Sequence, residues 1–244
     1  MQKYTGFSLN AWPAFADVML SVVLVLVMIL VLAVATMTGP SYLEVDASQK
    51  AIRQAIESKS KNGETFKEDG SNTWRMAFGM EDDTRSEIKV VDEALLQRFT
   101  FGAGVLFESD EDTLNARGAD LIMQIGKSIV QELARIREVQ IHGHTDNNYE
   151  RKPGETVEFG EQYNLDLASR RAANVFQQLR EAGINPVTNL MSIASYGQFS
   201  PVSRNDTDDY DADRLAKDNK GDLAEQNRRI ELLLHFHDPN VVIP

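Results

Sequence analysis

The stretch VQIHGHTD at residues 139–146, followed by YNLDLASRRAANV at residues 163–175, decides how this chain folds. Val139 and Ile141 alternate with polar neighbours, as in a half-buried strand that ends at Asp146. Asn164, Leu167 and Arg171 then recur at spacings of three and four, so they share one face of a helix. A strand closed by a carboxylate and a helix carrying a guanidinium present both charges at one end of a sheet. Arginine offers a planar fork to a carboxylate and aspartate accepts from an ammonium, a combination suited to a zwitterionic amino acid. The alternative is an internal Asp146–Arg171 ion pair that holds no ligand.

Outward from this segment the pattern alternates between strand and helix. Phe99, Phe101, Val105 and Phe107 predict a first strand, with Gly102 and Gly104 permitting a bend. Ser109 and Asp112 fit a helix start, and Leu114, Ile122, Ile125, Ile129 and Leu133 supply the stripe that follows. The second helix runs from about Leu165 to Glu181 and stops at Gly183. Met191, Ile193 and Ala194 predict a third strand, and Ile230 to Phe236 a fourth. The order βαβαβ with one more strand predicts a two-layer α/β (α+β) domain over 99–238, a βαβαββ-type mixed sheet with helices on one face.

Ahead of that domain, Val18 to Met37 are twenty residues whose polar members are Ser21 and Thr36. At about 1.5 Å per residue they reach roughly 30 Å, the thickness of a bilayer core. The division that follows is a leader at 1–11, a transmembrane helix at 12–38, a juxtamembrane helix and linker at 39–98, and a tail at 239–244. Leu43, Ala47, Ala51, Ile52, Ala55 and Ile56 fit an amphipathic helix near the membrane surface, and residues 57–73 read as linker. Within 74–98, Ile88, Val90 and Val91 fit a strand, and Glu81-Asp82-Asp83 a solvated turn. A cleaved secretory signal ending at Ala35 is the rival reading, disfavoured by the length of the run and by Trp12, Pro13 and Asp17 at its front. Lys3 and the amino terminus favour a cytoplasmic leader, which places the rest of the chain outside the inner membrane.

Composition excludes several functions. The net charge of −12 leaves no basic surface for nucleic acid, and the absence of cysteine removes disulfides. His142 with His144, and His235 with His237, lack a third metal ligand nearby in sequence, so no metal is expected. Asp206, Asp208, Asp209, Asp211 and Asp213 have neither the glycine nor the closing carboxylate of a calcium loop. No nucleophile–base set or phosphate-cradling loop is present, which argues against an enzyme, and no cofactor is called for.

Asp17 is the exception inside the apolar region. An ionised carboxylate in hydrocarbon is costly, so this group must be neutral, paired, or facing a hydrated cavity supplied by another protein. The segment Trp12-Pro13-Ala14-Phe15-Ala16-Asp17-Val18-Met19 resembles that around the ion-carrying aspartate of MotB-type stator subunits. The resemblance implies that Asp17 carries H⁺ or Na⁺, and that two copies of the chain sit inside five copies of a MotA-like channel subunit. The 142–146 and 163–175 motifs, with Asn227-Arg228-Arg229, resemble the OmpA-like peptidoglycan-binding domain. That resemblance implies that Asp146 and Arg171 grip the diaminopimelate of the wall peptide, supported by Tyr163, Asn164 and Leu167. The short leader and Val/Leu-rich helix are most similar to the ZorB-type B subunits of Zorya anti-phage systems, whose channel partner is ZorA-like. A flagellar stator and a passive OmpA-type tether between membrane and wall are the alternatives. The Asn147–Gln162 and Asn205–Asn219 stretches are longer than is usual for the family.

Overall fold

The computed structural model describes residues 12–38, 40–58, 64–68, 71–79, 85–150, 152–204 and 210–238. The leader 1–11, the Glu81-Asp82-Asp83 run, Asp206, Asp208 and Asp209, and the tail 239–244 lie outside these residues. The chain divides into two compact units, Met1–Glu44 and Val45–Pro244.

The first unit contains helix α1, Trp12–Thr38. Its Phe15–Val34 portion is long and apolar enough to cross a membrane, with a mean hydropathy of 3.0 and none of it buried within the protein. A helix apolar on every side has no water-facing stripe, which suits lipid better than a protein surface. Asp17 lies in this helix near its amino-terminal end, one turn before Ser21, whose hydroxyl donates to the Asp17 backbone carbonyl at 2.9 Å.

The second unit is built on a seven-stranded mixed sheet. In chain order its elements are α2 (Pro40–Glu57, entering the unit at Val45), β1 (Glu64–Lys67), β2 (Thr73–Gly79), β3 (Arg85–Asp92), β4 (Leu96–Gly102) and α3 (Ala103–Leu106). There follow α4 (Ala116–Glu132), β5 (Ile136–His144), α5 (Val157–Glu181), β6 (Leu190–Gly197), α6 (Ala212–Asp218), α7 (Asp222–Asn227) and β7 (Arg229–Phe236). The spatial order is β1-β2-β3-β4-β7-β5-β6. The β5–β6 pair is parallel, joined through α5, and the other pairs are antiparallel.

The last strand in sequence lies between β4 and β5, with Leu232 opposite both Phe99 and Ile141. One sheet face therefore concentrates Phe99, Phe101, Val139, Ile141, Ile230, Leu232 and Leu234, all buried. Ile122, Ile125 and Ile129 of α4, Ala172, Val175 and Leu179 of α5, and Val45, Ile52 and Ile56 of α2 close over that face. Removing a large side chain from this layer, as in Ile125→Ala, costs about 2–5 kcal/mol.

Four features differ from the sequence expectations. The amphipathic helix at 40–57 packs Val45, Ile52 and Ile56 on the protein core, while Leu43, Ala47 and Ala51 of the expected stripe stay exposed; Gln49 accepts from Gln97, and Arg53 pairs with Asp92. Part of the supposed linker is sheet, because β1 and β2 extend the edge beyond β3. The first helical strand–turn boundary also moves: β4 ends at Gly102, α3 intervenes, and Phe107 forms an isolated bridge with Leu114, so Val105 and Phe107 are not strand residues. Finally, Asn115 caps α4, its side chain accepting from Gly118 N at 2.7 Å, and Thr156 caps an α5 that starts eight residues earlier than Leu165.

Candidate functional site

Asp146 follows the carboxyl end of β5, where the backbone is fixed by Thr145 N donating to Gly197 O at 2.8 Å. Its position depends on Gly143. A Cβ there would lie 2.2 Å from the Ala168 carbonyl oxygen, so only glycine lets β5 and α5 approach this closely. The Asp146 side chain is 9% exposed and accepts from Asn148 N and Nδ2 at 3.2 and 3.1 Å. Arg228, between α7 and β7, reaches it at 2.5 Å.

Arg171 lies on α5 and is buried, its guanidinium 5.1 Å above the Phe107 ring and its Nε donating to Glu111 O at 2.8 Å. Burial lowers its pKa, against the opposing pull of Asp110 and Asp112. Asp146 and Arg171 are thus not an internal pair: among the described residues Asp146 pairs with Arg228. Tyr163 and Arg228 both act electrostatically on Arg171, which puts the two arginines in one neighbourhood. The remaining fork of a buried arginine over an aromatic ring is suited to a planar anion such as a carboxylate.

Tyr163 is half-buried and packs against Tyr149 with ring centres 4.7 Å apart. Tyr149 in turn meets Phe159 at 6.0 Å and donates its hydroxyl to Glu155 at 2.9 Å. The long segment after β5 is therefore an aromatic wall beside the site, most of its second half already helix. Asn164 is buried and donates to Gln198 Oε1 at 2.8 Å, and Leu167 is buried beneath it in α5. Both side chains are thus closed off from solvent. Thr145 adds a buried hydroxyl without a hydrogen-bond partner, next to Asp146.

The Asn227-Arg228-Arg229 run divides its work. Asn227, wholly buried, accepts from Val202 N and donates to Asp218 O and Asn219 Oδ1, tying two loops to the head of β7. Arg228 turns to Asp146, and Arg229 donates to Glu231 at 2.7 Å and to Ser200 O at 3.2 Å. Arg228, Thr145 and Tyr149 were not singled out as site residues from the sequence. The first has a signal there: an arginine leading the last strand lies beside Asp146 once that strand pairs antiparallel with β5.

The sheet face away from the helices is polar. His142 and His144 of β5 lie there with Glu231 of β7, and the Tyr196 ring stacks on His144 at 4.9 Å and meets His142 edge-on at 5.2 Å. Burial, and then the Arg229 cation, push the His144 pKa down to about 3. Burial also lowers that of His142. Burial alone would raise Glu231, but Arg229 and His144 outweigh it and hold its pKa low.

The second unit is a mixed sheet covered on one face by helices, with Asp146 just after β5 and the buried Arg171 on α5, and residues 106–214 match the OmpA family. The chain is accordingly an apolar amino-terminal helix joined to an OmpA-like α/β domain. It is 31% identical over 110 residues to the outer-membrane lipoprotein YfiB of Pseudomonas aeruginosa, covering 45% of this chain and 56% of that one. An outer membrane protein of Gluconacetobacter diazotrophicus is 28% identical over 131 residues, 54% of this chain and 29% of the relative. The chain thus spans little more than half of the one curated relative and under a third of the other. Among solved structures, the periplasmic domain of Helicobacter pylori MotB is similar, with 21% identity and a TM-score of 0.45 over 63% of this chain and 82% of that one.

Proposed function

We propose that this chain is the wall-anchored B subunit of an ion-driven inner-membrane complex, acting in antiviral defence of the Zorya type. The observation that carries the reading is the pairing, in one chain, of a lone carboxylate in a membrane-length apolar helix with an Asp146/Arg171 site on an OmpA-like domain. Asp17 binds and releases H⁺ or Na⁺ as its surroundings alternate between closed and hydrated. One helix supplies no such cavity. The reading therefore includes a channel-forming MotA- or ZorA-like partner, five copies around two of this chain. The leader faces the cytoplasm and the second unit the periplasm, where Asp146, Arg171 and Arg228 take the zwitterionic end of the diaminopimelate side chain. The wall then holds the complex against the reaction of its moving partner. The activity is binding and ion passage, not bond-making catalysis.

Two substitutions test the halves separately, in cells that carry the complex and are challenged with phage. Asp17→Asn abolishes protection while the detergent-purified chain still sediments with sacculi. Arg171→Ala loses sedimentation and protection together. Full protection with Asp17→Asn beside loss with Arg171→Ala would instead identify a passive tether.

A further inference from the structure

The antiparallel register of β5 and β7 sets His142 opposite Glu231 and His144 opposite Arg229. Two imidazoles and a carboxylate from distant parts of the sequence thereby meet on the sheet face opposite the helices. One ligand atom from each of His142, His144 and Glu231 can be chosen so that all lie within 4.8 Å of one another. His144 is only 3% exposed, and its ring nitrogens make no hydrogen bond of normal geometry, the Ser200 backbone acting on the ring only weakly. A polar group buried in this way is costly, and an unsatisfied one calls for an occupant.

The surrounding contacts prepare these groups for a shared ion. His144 Nε2 is 3.9 Å from Glu231 Oε2, too long for a hydrogen bond but close to the roughly 3.3 Å that separates two ligands on a tetrahedral ion with bonds of about 2.0 Å. Arg229 Nε holds the other Glu231 oxygen at 2.7 Å, which fixes the carboxylate and leaves Oε2 toward the histidine. Gln140 Oε1 lies 3.2 Å from His142 Nε2; an imidazole that donates through one nitrogen keeps a lone pair on the other. The Tyr196 ring, stacked on His144, walls the group on one side. The Arg229 cation works against a metal, and the Glu231 carboxylate offsets it.

We propose that His142, His144 and Glu231 form a three-ligand site for a divalent transition-metal ion, Zn²⁺ in the first instance, with a fourth position open to water. Two neutral imidazoles and one carboxylate are a donor set that zinc favours. A bound ion would cross-link β5 to β7 just before the residues that carry Asp146 and Arg228, making the wall site more rigid without entering it.

The test uses the full chain in detergent, stripped with a chelator and dialysed, and Zn²⁺ alone as the probe. Calorimetry is expected to show one saturable equivalent, and Co²⁺ to give the visible absorption of a tetrahedral site. His142→Ala and Glu231→Gln each weaken Zn²⁺ binding by at least about tenfold, whereas His235→Ala and His237→Ala leave it unchanged. Ring-nitrogen NMR on the unsubstituted chain reads the ligands directly, so the result stands even where a variant fails to fold: the His142 and His144 signals shift on adding Zn²⁺. Absence of saturable binding, unmoved histidine signals, or affinity retained in both His142→Ala and Glu231→Gln overturns the site.

Discussion

The Arg228 guanidinium contacts the Asp146 carboxylate at 2.5 Å, joining the residue ahead of β7 to the end of β5. Asp146 is nearly buried, whereas the Arg228 side chain is 43% exposed. The pair therefore holds the carboxylate in place from a side that solvent can reach.

Arg228→Ala is expected to lower stability by about 1 kcal/mol, small because the arginine is solvated, and to reduce sedimentation with purified sacculi. Arg228→Lys keeps a point charge but loses the planar fork, so it should recover the melting temperature without recovering sedimentation. Thermal unfolding and a sacculus pull-down on the same preparations check both halves.

Gly143→Ala places a methyl group 2.2 Å from the Ala168 carbonyl oxygen and 2.8 Å from its carbon. Backbone atoms cannot rotate aside, so the strand and helix must separate, at a cost of about 3 kcal/mol or more. Ala168→Gly should not rescue it, since the clash is with the main chain. Chemical denaturation of the single and double variants distinguishes this from a side-chain conflict.

Asn227→Ala leaves the Val202 amide, the Asp218 carbonyl and the Asn219 side chain each short of a partner. Buried groups stripped of a partner cost about 1–3 kcal/mol apiece, so a loss of about 3 kcal/mol is expected. Limited proteolysis should show new cleavage around residues 198–222 before global unfolding.

His144 gives the domain a pH dependence in chelator-treated protein. Its folded pKa is about 3 against 6.5 for the free side chain, so below pH 6.5 the unfolded chain takes up a proton that the folded one refuses. Stability is complete above that value and falls on acidification toward pH 3. By pH 5 the loss is about 2 kcal/mol from this group, at roughly 1.4 kcal/mol per unit. His142, also lowered, acts in the same direction, while Glu231, held low, contributes only in stronger acid. His144→Asn should flatten the slope between pH 7.5 and 5 in denaturant titrations.

Parts of this architecture were legible because their signals are local. The apolar run of α1 is a matter of composition, and the β5–α5 motif is a period-two pattern followed by three-and-four spacings. β3 was legible from Ile88, Val90 and Val91, but β1 and β2 were not, since the outermost strands have little period to read and β1 is four residues long. Leu106 and Phe107 are consecutive apolar residues. Both are fully buried though adjacent, which a strand with one buried face does not allow; the turn of α3 resolves it. For α4 the sequence offered Ser109 as a start, but the bridge between Phe107 and Leu114 delays the helix until Asn115 can cap it.

By itself, then, the sequence determined a membrane-length helix bearing one carboxylate, an α/β domain with mixed strands, and the residue types at the β5 and α5 ends. Each follows from spacing or composition within a single segment. Only the tertiary structure decided that Arg228 rather than Arg171 pairs with Asp146, that α2 belongs to the core, and that Glu231 joins the two histidines. Those outcomes depend on β7 entering the sheet between β4 and β5, a pairing of distant segments that hydrophobic burial selects and no local period records.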